Sequence, residues 1–155
     1  KKLKGPKKES PLMDRLIFGT YNKRINPKRT NYDFLTRDEQ IVDDYIADEN
    51  CGFICSTSFY VDLLEGLMII HQEEEVAKTP KQLPIFLFAG DEDPVGDYGK
   101  GVQSVYEQLL QHGCEQVSIK LYEGGRHEML NETNRTEVFS DVLNWLDTIV
   151  KGEVT

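Results

Sequence analysis

The feature that most constrains this 155-residue chain is an unbroken apolar run over residues 83–89, Leu-Pro-Ile-Phe-Leu-Phe-Ala, closed by Gly90. A strand covered on both sheet faces reads this way, because helices pack on both sides of a parallel sheet. A helical stretch over residues 100–112 follows, turning Val102, Val105, Leu109 and Leu110 inward and stopping at Gly113. Residues 117–122 then read as a second strand. A last helix over residues 135–150 buries Val138, Val142, Trp145, Leu146 and Ile149, and Gly152 ends it. Strand–helix–strand at this spacing predicts a right-handed parallel crossover, so the fold class is α/β. Two parallel strands alone leave the outer edge of the first one unpaired. Further strands are expected from elsewhere.

Residues 1–80 predict helices without strands, which divides the chain into 1–80 and 81–155. Ser10-Pro11 is a helix start, with Ser as cap and Pro in the first turn, and Leu12, Leu16 and Ile17 share a face ending near Gly19. Residues 22–35 read as an irregular connection. Thr36 and Glu39 have capping-box spacing, opening a helix that carries Ile41, Val42, Tyr45 and Ile46 and ends near Asp48. A longer helix from about Ser58 places Phe59, Leu63, Leu64, Leu67, Met68 and His71 on its apolar side. Glu73, Glu74 and Glu75 after it read as a solvated face rather than a metal site.

Charge and cysteine usage exclude several functions. The net charge is −9, and the five lysines among residues 1–10 make the remainder more acidic still, which argues against a nucleic-acid groove. The lysine run itself reads either as a phosphate-binding patch or as a solvated end. No segment reaches the length of roughly 20 apolar residues that a membrane-spanning helix requires. Cys51, Cys55 and Cys114 form no paired Cys-x-x-Cys set, so they predict no zinc site, and nothing else in the sequence implies a metal or an organic cofactor. Free thiols fit a reducing compartment and hence a cytoplasmic location.

The chemistry concentrates in two loops. Gly90-Asp-Glu-Asp-Pro-Val-Gly96 follows the first strand and Glu123-Gly-Gly-Arg-His-Glu-Met-Leu130 follows the second. Both leave the C-terminal ends of neighbouring parallel strands, where open α/β sheets bind ligands. A carboxylate from one loop and an imidazole from the other would there form the orienting half of a nucleophile–His–acid triad. In the α/β-hydrolase fold the triad order is Ser, then Asp or Glu, then His, and the order here agrees with its last two members.

Leu87-Phe-Ala-Gly-Asp-Glu-Asp-Pro-Val-Gly96 and Tyr122-Glu-Gly-Gly-Arg-His-Glu-Met-Leu-Asn-Glu132 resemble the C-terminal end of bacterial α/β-hydrolases of the lysophospholipase, monoacylglycerol lipase and serine aminopeptidase type. Asn31-Tyr-Asp-Phe-Leu-Thr-Arg-Asp-Glu39 and Asp48-Glu-Asn-Cys-Gly-Phe53 are similar to the family's helical cap, so the resemblance covers essentially the whole chain. It implies that Asp93 is the triad acid, that His127 is the base, and that residues 1–80 form a lid over an acyl ester or other lipid-like small molecule. Phe53, Phe59, Val95 and Met129 either line an acyl pocket or pack in the core. Glu128 either hydrogen-bonds within the His loop or faces water, and Arg126 either pairs with the cap or faces water.

The departure is the nucleophile. None of Ser10, Ser56, Ser58, Ser104, Ser118 and Ser140 lies in a Gly-x-Ser-x-Gly elbow, and no oxyanion-hole loop is recognisable. Ser56 and Ser58 read as helix-capping or cap-pocket residues. The expectation is a serine hydrolase of carboxylic esters whose N-terminal sheet half, nucleophile included, precedes Lys1 and is the partner this portion requires. Two alternatives stand beside it: an inactive fragment or interaction module that self-associates through the unpaired strand edge, and a peptidase of the serine aminopeptidase type.

Overall fold

The computed structural model describes residues 5–152, so Lys1, Lys2 and Lys4 of the basic run lie outside the described residues. The chain runs through helix α1 (Pro11–Phe18), a 3-10 turn (Tyr21–Arg24), α2 (Glu39–Ala47), α3 (Thr57–Ile70), a short α4 (Glu73–Val76), strand β1 (Ile85–Gly90), α5 (Lys100–Gln111), strand β2 (Val117–Tyr122), a second 3-10 turn (Met129–Asn131) and α6 (Arg135–Lys151). β1 and β2 are parallel and in register from Ile85 opposite Val117 to Gly90 opposite Tyr122, so both strands end at the same level. Their C-terminal loops consequently emerge side by side.

Several local expectations are revised. Ser10 makes no side-chain cap on α1. Asp38, not Thr36, caps α2, accepting from the Gln40 and Ile41 N–H groups. Thr36 is buried instead, accepting from the Asp38 N–H and donating to the Asn131 carbonyl. Ser56, two residues before the expected start, caps α3 by accepting from the Phe59 N–H. The first strand begins at Ile85, because Pro84 has no N–H to place in a ladder.

The core is smaller than the apolar periodicity suggests. Tyr122, Met129 and Val138 form its centre, with Phe88 packed against them. β1 is only half-buried over its first four residues, although its composition is that of a strand covered on both faces. On α3, Phe59, Leu63, Leu64, Leu67 and Met68 are all exposed, and so are Leu12 and Leu16 of α1 and Leu146 of α6. Exposed apolar area on this scale marks surfaces shaped for a neighbour. Among the described residues no helix is long and apolar enough to cross a membrane.

Candidate active site

The two loops cross at a pair of glycines. A Cβ on Gly90 would lie 1.9 Å from the Gly125 carbonyl oxygen, so no other residue fits there without displacing the second loop. A Cβ on Gly125 would meet the Met129 sulfur at 2.7 Å. Brought this close, the loops bond to each other: the Glu92 N–H donates to the Gly125 carbonyl at 3.0 Å and the Gly124 N–H to Asp91 Oδ1 at 2.7 Å.

This crossing sets Asp93 beside His127. Asp93 is buried, with 5% of its surface exposed. Its Oδ1 accepts from the Val95 N–H at 2.8 Å, and its Oδ2 lies 3.1 Å from His127 Nδ1. With Nδ1–H donating to the carboxylate, the opposite ring nitrogen Nε2 carries the lone pair. No hydrogen bond engages Nε2 among the described residues. The hydrogen bond to Asp93 raises the His127 pKa above its usual 6.5, burial opposes this, and the charges of Asp93 and Glu128 add to the rise. The acid loop is held by a chain reversal in which Asp97, Tyr98 and Gly99 all have positive φ (48°, 57° and 83°). The Tyr98 N–H donates to the Asp93 carbonyl at 2.8 Å, and the Arg24 guanidinium stacks 3.5 Å over the Tyr98 ring.

The His loop is anchored to the segment that reads as an irregular connection. His127 N–H donates to the Phe34 carbonyl at 3.2 Å and Glu128 N–H to the Leu35 carbonyl at 2.7 Å. Arg126 Nη1 donates to the carbonyls of Asp33 and Thr36, so it pairs with the helical segment rather than facing water. Glu132, 0% exposed, gathers the rest: it accepts from the Arg37 N–H and Nε, the Arg126 N–H, and the Thr133 N–H and hydroxyl. Burial would raise the Glu132 pKa, but the Arg37 side chain and three backbone donors hold it below the usual carboxylate range. Glu132, Arg37 and Thr36 have no role in the sequence analysis as positioning residues. Their one signal was polarity, and their partners lie about ninety residues away in the chain.

The other candidate residues separate. Phe53 and Phe59 line one cavity of about 450 Å³ with Phe18, Phe34, Tyr32 and Tyr45. Phe34 connects this cavity to the Asp93–His127 pair, its ring 6.2 Å from that of His127. Val95 lines a different groove, with Phe86, Phe88 and Val102. Met129 lies in the core beneath Gly125, so its contribution is packing. Glu128 accepts from Asn131 Nδ2 at 2.7 Å within its own loop. Ser56 and Ser58 hydrogen-bond each other at the start of α3, and no serine hydroxyl bonds to His127 among the described residues. Cys114 is buried and Cys51 and Cys55 are half-buried, all three free, and no cluster suited to a metal ion occurs among the described residues.

Residues 5–134 match the family described as serine aminopeptidase, S33. A carboxyl esterase from Bacillus coagulans, crystallised with glycerol, superposes with a TM-score of 0.81 at 28% identity, over 97% of this chain and 48% of that one. A lipase in its open form superposes with a TM-score of 0.81 at 32% identity, over 93% of this chain and 47% of that one. A monoglyceride lipase from Saccharomyces cerevisiae shares the fold at 20% identity, with a TM-score of 0.63 over 88% of this chain and 47% of that one. The chain therefore spans about half the length of these structures. No curated protein matches it.

Proposed function

The chain belongs to the serine aminopeptidase S33 family of α/β-hydrolases, matching a C-terminal portion of that fold, and we propose that it supplies the acid and the base of a serine hydrolase acting on carboxylic esters. The observation that carries this is the 3.1 Å contact between buried Asp93 and His127, made across the ends of two adjacent parallel strands. In the proposed reaction a serine from the N-terminal half of the protein attacks the ester carbonyl. His127 Nε2 takes the serine proton and then delivers it to the leaving alcohol, while Asp93 holds Nδ1–H and stabilises the imidazolium. Water attacks the acyl-enzyme by the same proton path in reverse.

Residues 1–80 act as the cap, and the cavity walled by Phe18, Phe34, Phe53 and Phe59 receives the acyl chain. The substrate is a lipid-like ester, since an aromatic cavity rewards apolar burial. The exposed apolar face of α3 and the open edge of β1 are the surfaces that the N-terminal half covers.

The test is a fluorophosphonate probe and a p-nitrophenyl ester applied to the protein carrying the upstream half. Labelling and turnover that vanish in His127→Ala support the assignment; undiminished turnover in that variant removes His127 from the mechanism. A second reading rests on the two-stranded sheet: a chain with no upstream half would pair β1 with another copy and have no esterase activity. Light scattering on the 155-residue chain separates the two, because a monomer across concentrations rules out the second reading.

A further inference from the structure

A separate cavity, of about 300 Å³, has walls that include Arg24, Arg37 and Arg126. Tyr21, Tyr98, Glu92 and Gly124 complete the part that concerns a ligand. The structure leaves much of this guanidinium capacity unused. Arg37 spends Nε on Glu132 and Nη2 on Asn134, which leaves Nη1 without a partner among the described residues. Gly124, at φ +66°, lets Nη1 approach to where any Cβ would meet it at 2.8 Å. Arg126 spends only Nη1, and on two carbonyls rather than a carboxylate. Arg24 is exposed, and its recorded contact is the face of Tyr98.

Direct ion pairing around the cavity is sparse. Of the three arginines only Arg37 has a carboxylate in ion-pair contact, the buried Glu132. Glu92 lies in the cavity wall but pairs with none of the three among the described residues, and Asp91 is occupied by the Gly124 N–H. A protein of net charge −9 thus gathers three guanidinium groups around one concavity, with the carboxylates of Glu92, Glu132 and Asp91 near them and only Glu132 in a direct ion pair with one of the three. Guanidinium groups meet phosphate through paired N–H donors.

We propose that Arg24, Arg37 and Arg126 form a binding site for an oxyanion of the phosphate class, either a free phosphate monoester or the phosphodiester headgroup of a lipid. The site does not depend on the catalytic reading. An anion held there joins the 3-10 turn at Tyr21–Arg24 to Arg37 ahead of α2 and to Gly124 and Arg126 of the His loop. Occupancy therefore ties together the three segments that meet around Asp93 and His127.

The experiment is isothermal titration of the full-length protein with inorganic phosphate, at constant ionic strength against a chloride blank. Saturable one-to-one binding is expected. Arg24→Gln should weaken it by about tenfold, the loss of one charge-assisted contact. Glu92→Gln should tighten it several-fold, an effect no unfolding variant produces. Heat limited to the chloride blank, or equal affinity in the wild type and both variants, overturns the site. Titration with glycerol 3-phosphate and glycerophosphocholine separates the sources. Tighter binding of the monoester assigns a free phosphate ligand, and tighter binding of the diester assigns a lipid headgroup. None of these readings uses ester turnover, so they stand whether or not His127 is the catalytic base.

Discussion

Arg37 Nε donates to Glu132 Oε2 at 2.8 Å, joining positions 95 residues apart and closing the helical segment onto the His loop. Glu132 also accepts from the Arg126 N–H, one residue before His127. One buried carboxylate therefore holds both the segment before α2 and the His loop, and its charge is compensated by a guanidinium and several N–H donors.

Replacing Glu132 by Gln should lower stability by about 3 kcal/mol, because it leaves the half-buried Arg37 guanidinium without its counter-charge. Thermal unfolding reads the loss. A drop in Tm no larger than that of a surface Glu132-independent control such as Glu115→Gln would show that the pair contributes little.

The activity should fall as pH drops through the His127 pKa, since only neutral imidazole accepts the serine proton. That pKa lies above 6.5, first because of the hydrogen bond to Asp93. A base with a raised folded pKa contributes stability that is full below its unfolded value and is lost as pH rises through the folded one. The two effects have opposite signs, and the window for both opens near pH 6.5 and extends upward. Asp93→Asn should move the acid limb of the kcat/KM profile to lower pH and reduce kcat by about 10³–10⁴-fold. An unmoved limb would detach Asp93 from His127.

Gly90→Ala should disrupt the loop crossing, because the new methyl would lie 1.9 Å from the Gly125 carbonyl oxygen. Overpacking of this kind costs about 1–3 kcal/mol and shifts backbone. Ester turnover should be lost along with stability. Full activity in this variant would mean that the dyad tolerates a separation of the loops.

Phe53→Ala should raise KM for long-chain esters by about tenfold, the contact of one aromatic side chain, and leave acetyl esters unchanged. Phe53 is 65% exposed, so the fold does not depend on it. An equal change for both chain lengths would place the acyl group outside the cavity it lines.

The sequence by itself determined the elements that depend on neighbours close in the chain. The apolar run ending at Gly90, the amphipathic α5 and the stop at Gly113 predict β1, α5 and β2 with boundaries within two residues, since strand and helix periodicity are local. The order of the two loops brought a carboxylate and an imidazole into view together for the same reason, and the family resemblance pointed to Asp93 and His127. What it left out is everything set by distant contacts. Thr36 reads as a cap until the fold offers its hydroxyl the Asn131 carbonyl, and residues 22–35 read as an irregular connection until Arg126 binds the Asp33 carbonyl and the His loop binds those of Phe34 and Leu35. Burial was misjudged on α3 and β1 because apolar periodicity records which face wants a neighbour, not whether that neighbour is present. Only the tertiary structure decided how far apart Asp93 and His127 stand, because that distance depends on two glycines, thirty-five residues apart in the chain, lying one against the other.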